Sequence, residues 1–234
     1  LAKPPKICAY CGQNTATTKD HVFPLCLFTQ PLPANMITVP ACDQCNNSKS
    51  GDDHYVRDML VTDYRTFHNS TAKSLVMGHV TRSAVYGSSE IATAARLHSE
   101  VVEMITESGI YVGDYYKVPL QSQRVEEAFR MMLRGLYHYH FKQRLGDDLA
   151  LDTKFVTPQQ AQYLWEMLQH VPFSGPFQKG NIVTYAFCSP VGSPSDTVWL
   201  ICFYDTIYYT ATTRSCDEPV AEAIVDASVT QVEP

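Results

Sequence analysis

The chain has 234 residues, 45% of them hydrophobic, which is enough for one large domain or a small module with a larger partner. No run of 18 or more apolar residues occurs and no charged-then-apolar leader opens the sequence, so the expectation is a soluble cytoplasmic protein without a membrane partner. The formal net charge of −6 does not exclude nucleic acid, because the acidic excess is confined to residues 151–234, with three Lys/Arg against nine Asp/Glu; residues 1–60 carry five of each sign and residues 61–150 ten of each.

Taken in chain order, the first signal is a pair of cysteine knuckles, Cys8-Ala9-Tyr10-Cys11-Gly12 and Cys42-Asp43-Gln44-Cys45. A two-residue gap lets both thiolates of a knuckle reach one ion, and four thiolates complete the tetrahedron that structural zinc prefers. Chance pairing or a redox role is the plain alternative. The other cysteines, Cys26, Cys188, Cys202 and Cys216, are scattered and read as small buried or surface residues. Thirty residues separate the knuckles, so something is folded between them. Asp20-His21-Val22-Phe23 reads as a strand ended by Pro24, Pro31, Pro33 and Asn35 as a loop, and Met36 to Val39 as a second strand. Tyr55, Val56, Met59 and Leu60 then have helical spacing, with Asp52 or Asp53 as cap.

These residues carry a resemblance. CAYCG, KDHVFP, Asn35 and ACDQCNNSK together resemble an HNH endonuclease module, the ββα-metal nuclease fold, in the variant where Asn replaces the last histidine and two cysteine pairs buttress the fold. The string from DHVFP to DDHYVR also resembles a bacterial HNH family to which no activity is attached. The resemblance covers about residues 7–60. It implies His21 as general base, Asp20 and Asn46 as ligands of a catalytic Mg²⁺ or Mn²⁺, and Asn35 as the asparagine that shapes the loop. The chemistry agrees: an imidazole can deprotonate water near neutral pH, and a hard cation on few protein oxygens can stabilise the leaving oxygen. The cysteines would hold a different ion, Zn²⁺, because thiolates select it. Asn46 could instead cap the following helix, and Asn35 could be a turn residue. Lys49 and Arg57 are candidate phosphate contacts or simply solvated cations. The implied substrate is DNA rather than RNA, in a host-defence or mobile-element setting; a protein partner or a homo-oligomer is the further expectation.

Beyond residue 62, mixed three- and four-residue apolar spacing predicts a helix over 90–107, and Gly109, Gly113 and Pro119 interrupt the segment after it. Residues 121–145 read as a strong helix with Arg124, Arg130, Arg134, Lys142 and Arg144, either a basic groove wall or a core helix with a basic exposed face. Pro158 opens another helix to about His170. Strands follow over 181–188, 198–204 and 206–213, the last two as a hairpin about Asp205, with their aromatics as sheet core. The expected fold is α+β: a zinc-stabilised HNH module over 1–62, an accessory domain of helices and an antiparallel sheet over 63–214 for substrate or partner binding, and an acidic tail over 215–234. The expected activity is metal-dependent phosphodiester hydrolysis leaving 5′-phosphates. The rivals are a catalytically silent zinc module that binds nucleic acid or protein, and an effector subunit active only with a partner.

Overall fold

A computed structural model of the chain describes residues 5–106, 108–189 and 194–215. Strands β1 (Thr18–His21) and β2 (Thr38–Ala41) form an antiparallel hairpin in which Asp20 opposes Val39 and His21 opposes Thr38. Helix α1 (Asp43–Thr62) follows at once. It begins inside the second knuckle and not at Asp52 or Asp53, as its apolar spacing alone suggested. Cys42 is the N-cap residue, and its Sγ accepts from the Cys45 backbone N–H. The polar stretch Asn46–Asp53 is helical because one side of it, Asn46, Lys49 and Asp53, lies at helical spacing against β1 and its neighbours.

A 3₁₀ turn (Tyr64–His68), α2 (Ser70–Leu75), a π turn (Val76–Val80), α3 (Thr81–Val85) and α4 (Glu90–His98) come next. The helix expected over 90–107 stops at His98. Ser99 is extended, and the β-branched Val101, Val102 and Ile105 fall in β3 (Glu100–Ile105), which pairs with β4 (Tyr111–Lys117) in a separate two-stranded sheet. Helix α5 (Ser122–Phe141) ends at Lys142, which takes the left-handed conformation of a helix stop.

The rest is β5 (Leu149–Val156), α6 (Pro158–Leu168), β6 (Phe173–Lys179), β7 (Val183–Cys188), β8 (Thr197–Phe203) and β9 (Ile207–Ser215). These strands make an antiparallel sheet in the order β5-β9-β8-β7-β6. Tyr204 and Asp205, both at positive φ, turn β8 into β9. The predicted acidic tail beyond Ser215, Cys216 included, lies outside the described residues.

Helix α5 is packed between the N-terminal hairpin and this sheet. Phe129 stacks on Tyr209 with ring centroids 4.0 Å apart, and a Cβ on Gly135 would come within 2.8 Å of Val22. Phe23 lies 5.7 Å from Tyr185, and the Tyr204 hydroxyl donates to the Leu27 carbonyl at 2.9 Å. Residues from both sides of position 62 therefore share one hydrophobic core. Tyr185, Phe187, Trp199, Phe203 and Tyr209 are all buried in it, as sheet core. Helix α6 covers the opposite face of the sheet through a smaller cluster with Val156, Cys188 and Leu200. Among the described residues, no helix is long and apolar enough to cross a membrane.

Candidate metal centre and the adjoining strand

The two knuckles converge. The Sγ atoms of Cys8, Cys11, Cys42 and Cys45 all lie within 4.8 Å of one another, and Cys11 and Cys42 are 4.0 Å apart. Thiolates around one tetrahedral zinc sit about 3.8 Å from each other, given Zn–S bonds of about 2.3 Å. The four cysteines could therefore hold a metal ion such as zinc with little movement. Backbone groups favour the thiolate form at Cys11 and Cys42, whereas burial and the neighbouring cysteines hold the Cys45 thiol well above its ordinary range. The backbone of Asn14 and of Gln13 brings the Cys11 thiol down to about 6, and the Cys45 N–H lowers that of Cys42. The cluster also joins elements, since Cys42 is both a candidate ligand and the N-cap of α1.

Beside this cluster, β1 presents two different faces. Asp20 is 8% exposed and points inward with Val39, whereas Lys19 and His21 lie on the outer face opposite Pro40 and Thr38. On the inner face, the Asn46 Nδ2 donates to Thr18 Oγ1 at 3.2 Å. One turn along α1, Lys49 Nζ donates to Asp20 Oδ2 at 2.6 Å and to the His21 carbonyl at 2.9 Å. The Tyr10 hydroxyl donates to the same Oδ2 at 2.5 Å. Asp53, 3.8 Å from Lys49, completes the cluster; burial pushes its carboxyl up to about 7. The same burial and the charge of Asp20 hold the Tyr10 phenol far above its ordinary range.

This arrangement can be tested against a divalent ion. Both bonds to Asp20 end on Oδ2, so among the described residues Oδ1 is the carboxylate oxygen open to a further partner. Asn46 lies on the same inner face, next to Thr18, two residues from Asp20 and so about 6.5 Å along the strand. One carboxylate oxygen with one amide oxygen matches the sparse, water-rich set that Mg²⁺ accepts. The Lys49 ammonium opposes a second cation on Oδ2, which leaves the Oδ1 side. His21 shares the strand but faces the other way.

The remaining candidates are dispersed. Asn35 Nδ2 donates to the Gln178 carbonyl at 3.0 Å and so ties the loop to β6. Arg57 is buried and bound to Asp58 Oδ1 through Nε at 2.7 Å and Nη2 at 2.5 Å. Arg130 is paired with Glu126 at 2.7 Å and Arg134 with Glu127 at 3.4 Å, both along α5 itself. Tyr10 and Thr18, given no role by the sequence, and Asp53, read there only as a possible helix cap, belong to the inner-face cluster. The signal for Asp53 is the 46-49-53 spacing, which becomes legible only once α1 is known to start at Asp43.

Fold and site together define an α+β protein in which four cysteines able to hold one metal ion bring the segment before the hairpin onto the start of the helix after it. Comparison with protein-family models, with curated proteins and with solved structures finds no match for the chain.

Proposed function

We propose that the chain is a metal-dependent endonuclease of the HNH type, with DNA as substrate. The observation that carries this is the four-thiol cluster, which ties the start of the helix bearing Asn46 to the hairpin bearing Asp20 and His21. His21, on the outer face of β1 and half-buried, takes a proton from the attacking water. Asp20 and Asn46 would hold Mg²⁺ or Mn²⁺, which would supply positive charge to the scissile phosphate, while His21 reaches it from the opposite face of β1. Lys49 and Tyr10 fix the orientation of the Asp20 carboxylate through Oδ2 and leave Oδ1 for that role. Zinc on the cysteines has no part in the chemistry and holds the frame. In-line attack with departure of the 3′-oxygen leaves 5′-phosphate and 3′-hydroxyl ends.

A specific observation favours a second reading. The Lys49–Asp20 pair already neutralises the only carboxylate on β1, as it would in a zinc module that binds nucleic acid without cutting it. Supercoiled plasmid incubated with the zinc-loaded protein separates the two. Nicked product with 5′-phosphate ends, dependent on added Mg²⁺ or Mn²⁺, is expected of the nuclease. Retained DNA binding with no cleavage in either ion would establish the second reading instead.

A further inference from the structure

Two adjoining cavities of about 550 and 510 Å³ share Lys6, Thr38, Val39 and Pro40 and so form one groove across β2. One end is bounded by Lys19, and the other by His138, Tyr139, Lys142 and Arg144 at the end of α5. No carboxylate lines either cavity, although the chain as a whole carries a net charge of −6. Lys6 and Lys19 make no ion pair among the described residues and are exposed. Lys142 Nζ is held on the Tyr139 carbonyl at 2.6 Å and lies 4.6 Å from that ring's centroid, so its charge is positioned rather than free. Arg144 donates through Nε to the Tyr10 carbonyl at 3.2 Å, and its one carboxylate partner, Asp147 at 2.5 Å, is a largely exposed neighbour outside the groove lining.

The groove also has a direction. Cα partners across an antiparallel pair share a face, so Lys19, His21, Thr38 and Pro40 all lie on the outer side of the hairpin. Three of these four line the groove, with Thr18 and Val39 of the other face, and His21 does not. A polyanion lying in it would pass beside the hairpin that carries His21.

We propose that this groove binds the phosphodiester backbone of a nucleic acid, with Lys6, Lys19, Lys142 and Arg144 as the phosphate contacts and Tyr139 as a surface for a base or sugar. The site rests on the nuclease reading only for its purpose; its chemistry is that of a cationic track, and it is distinct from Arg130 and Arg134, whose charges are met by their own helix.

The test is fluorescence anisotropy of a labelled DNA duplex with the zinc-loaded full chain, in buffer without added Mg²⁺ or Mn²⁺, over a salt series. The double variant Lys19→Glu with Lys142→Glu should bind at least tenfold more weakly, and its salt slope should be shallower by about 1.8, the loss of two phosphate contacts. The charge-matched control Lys117→Glu with Lys154→Glu, on exposed strand positions outside the groove lining, should bind like the parent. Unchanged melting temperatures show that all variants are folded. Equal binding by the groove variant and the parent, or equal losses in groove variant and control, would overturn the groove. Loss of binding in the groove variant from a parent that never cuts DNA would uphold the groove and sink the nuclease. A parent that cuts DNA while the groove variant binds normally would do the reverse. A parent that binds no nucleic acid at low salt overturns both.

Discussion

At Asp20, the Tyr10 hydroxyl and the Lys49 ammonium meet on one carboxylate oxygen, in a place where both partners of the ion pair are nearly solvent-free. Removing one member of such a pair strands the other charge, at a cost of about 3–5 kcal/mol. Lys49→Met should therefore lower stability by roughly that amount in urea unfolding, and Lys49→Met combined with Asp20→Asn should lower it by less than the sum of the single changes. Additive losses would show that the pair is not coupled. Asp53 gives a pH signature of the opposite sign from an ordinary surface carboxylate. Burial raises its folded value to about 7, so the folded state holds a proton that the unfolded chain releases near its usual carboxylate range. Its contribution is complete below about pH 4 and is lost as pH rises through 7. The stability difference between the parent and Asp53→Asn should shrink over that window, by a few kcal/mol with about 4 as a ceiling. A difference that is flat in pH would contradict the buried, protonated carboxyl. This cluster is not legible in the sequence, which marks Asp20 and His21 by their motif but gives Tyr10 no role and reads Asp53 as a helix cap until the helix lies over the strand.

At the scale of elements, the knuckle and the helix are one structure. Cys42 caps α1 with its sulfur and shares the four-thiol cluster, so metal loss should fray the helix start as well as release the hairpin. Chelation of zinc loaded onto the four thiols should reduce helical circular dichroism and lower the melting temperature, and Cys8→Ser should reproduce the effect; an unchanged melt would mean that the cluster does not support the fold. Apolar spacing places the start of α1 too late because its stripe begins at Tyr55, while its first turns are polar and are held by Thr18, Asp20 and the cap. The opposite error arises over 90–107. There Ile91 to Leu97 have helical spacing, and the following Val101, Val102 and Ile105 extend the same numerical pattern although they belong to a strand. Position 135 in α5 is a third case, where only close packing explains the residue. A methyl group there would overlap Val22, so Gly135→Ala should cost about 1–3 kcal/mol by overpacking, despite alanine's better helix propensity. A gain in stability would refute that contact.

Across the whole molecule, the N-terminal hairpin, α5 and the five-stranded sheet share one core, and the Asn35–Gln178 bond joins residues 143 apart in sequence. That union could not be read from composition or spacing, which divided the chain at residue 62. The α+β class and strands β7 to β9 were legible, because their aromatic and β-branched runs are bounded by turn residues. Edge strand β6 was not, because Gly175 and Pro176 interrupt it with a register shift that an edge tolerates. The knuckles were legible as a four-cysteine cluster, since two C-x2-C pairs are the spacing that lets four thiols reach one ion. In the proposed reading the core matters because it holds the end of α5 beside β2, the strand paired with the one that carries His21. In the proposed mechanism everything turns on His21, on the outer face of β1, as the base of a phosphodiester hydrolysis. Its role is read from the initial rate of supercoiled-plasmid nicking in Mg²⁺ or Mn²⁺, for the parent and His21→Ala, each with equal zinc content and equal DNA affinity. The parent should nick in a metal-dependent way, and the variant should lose about 10²-fold or more, on the order expected for a general base. Nicking of equal rate in both proteins, or none by the parent in either metal, would contradict that role.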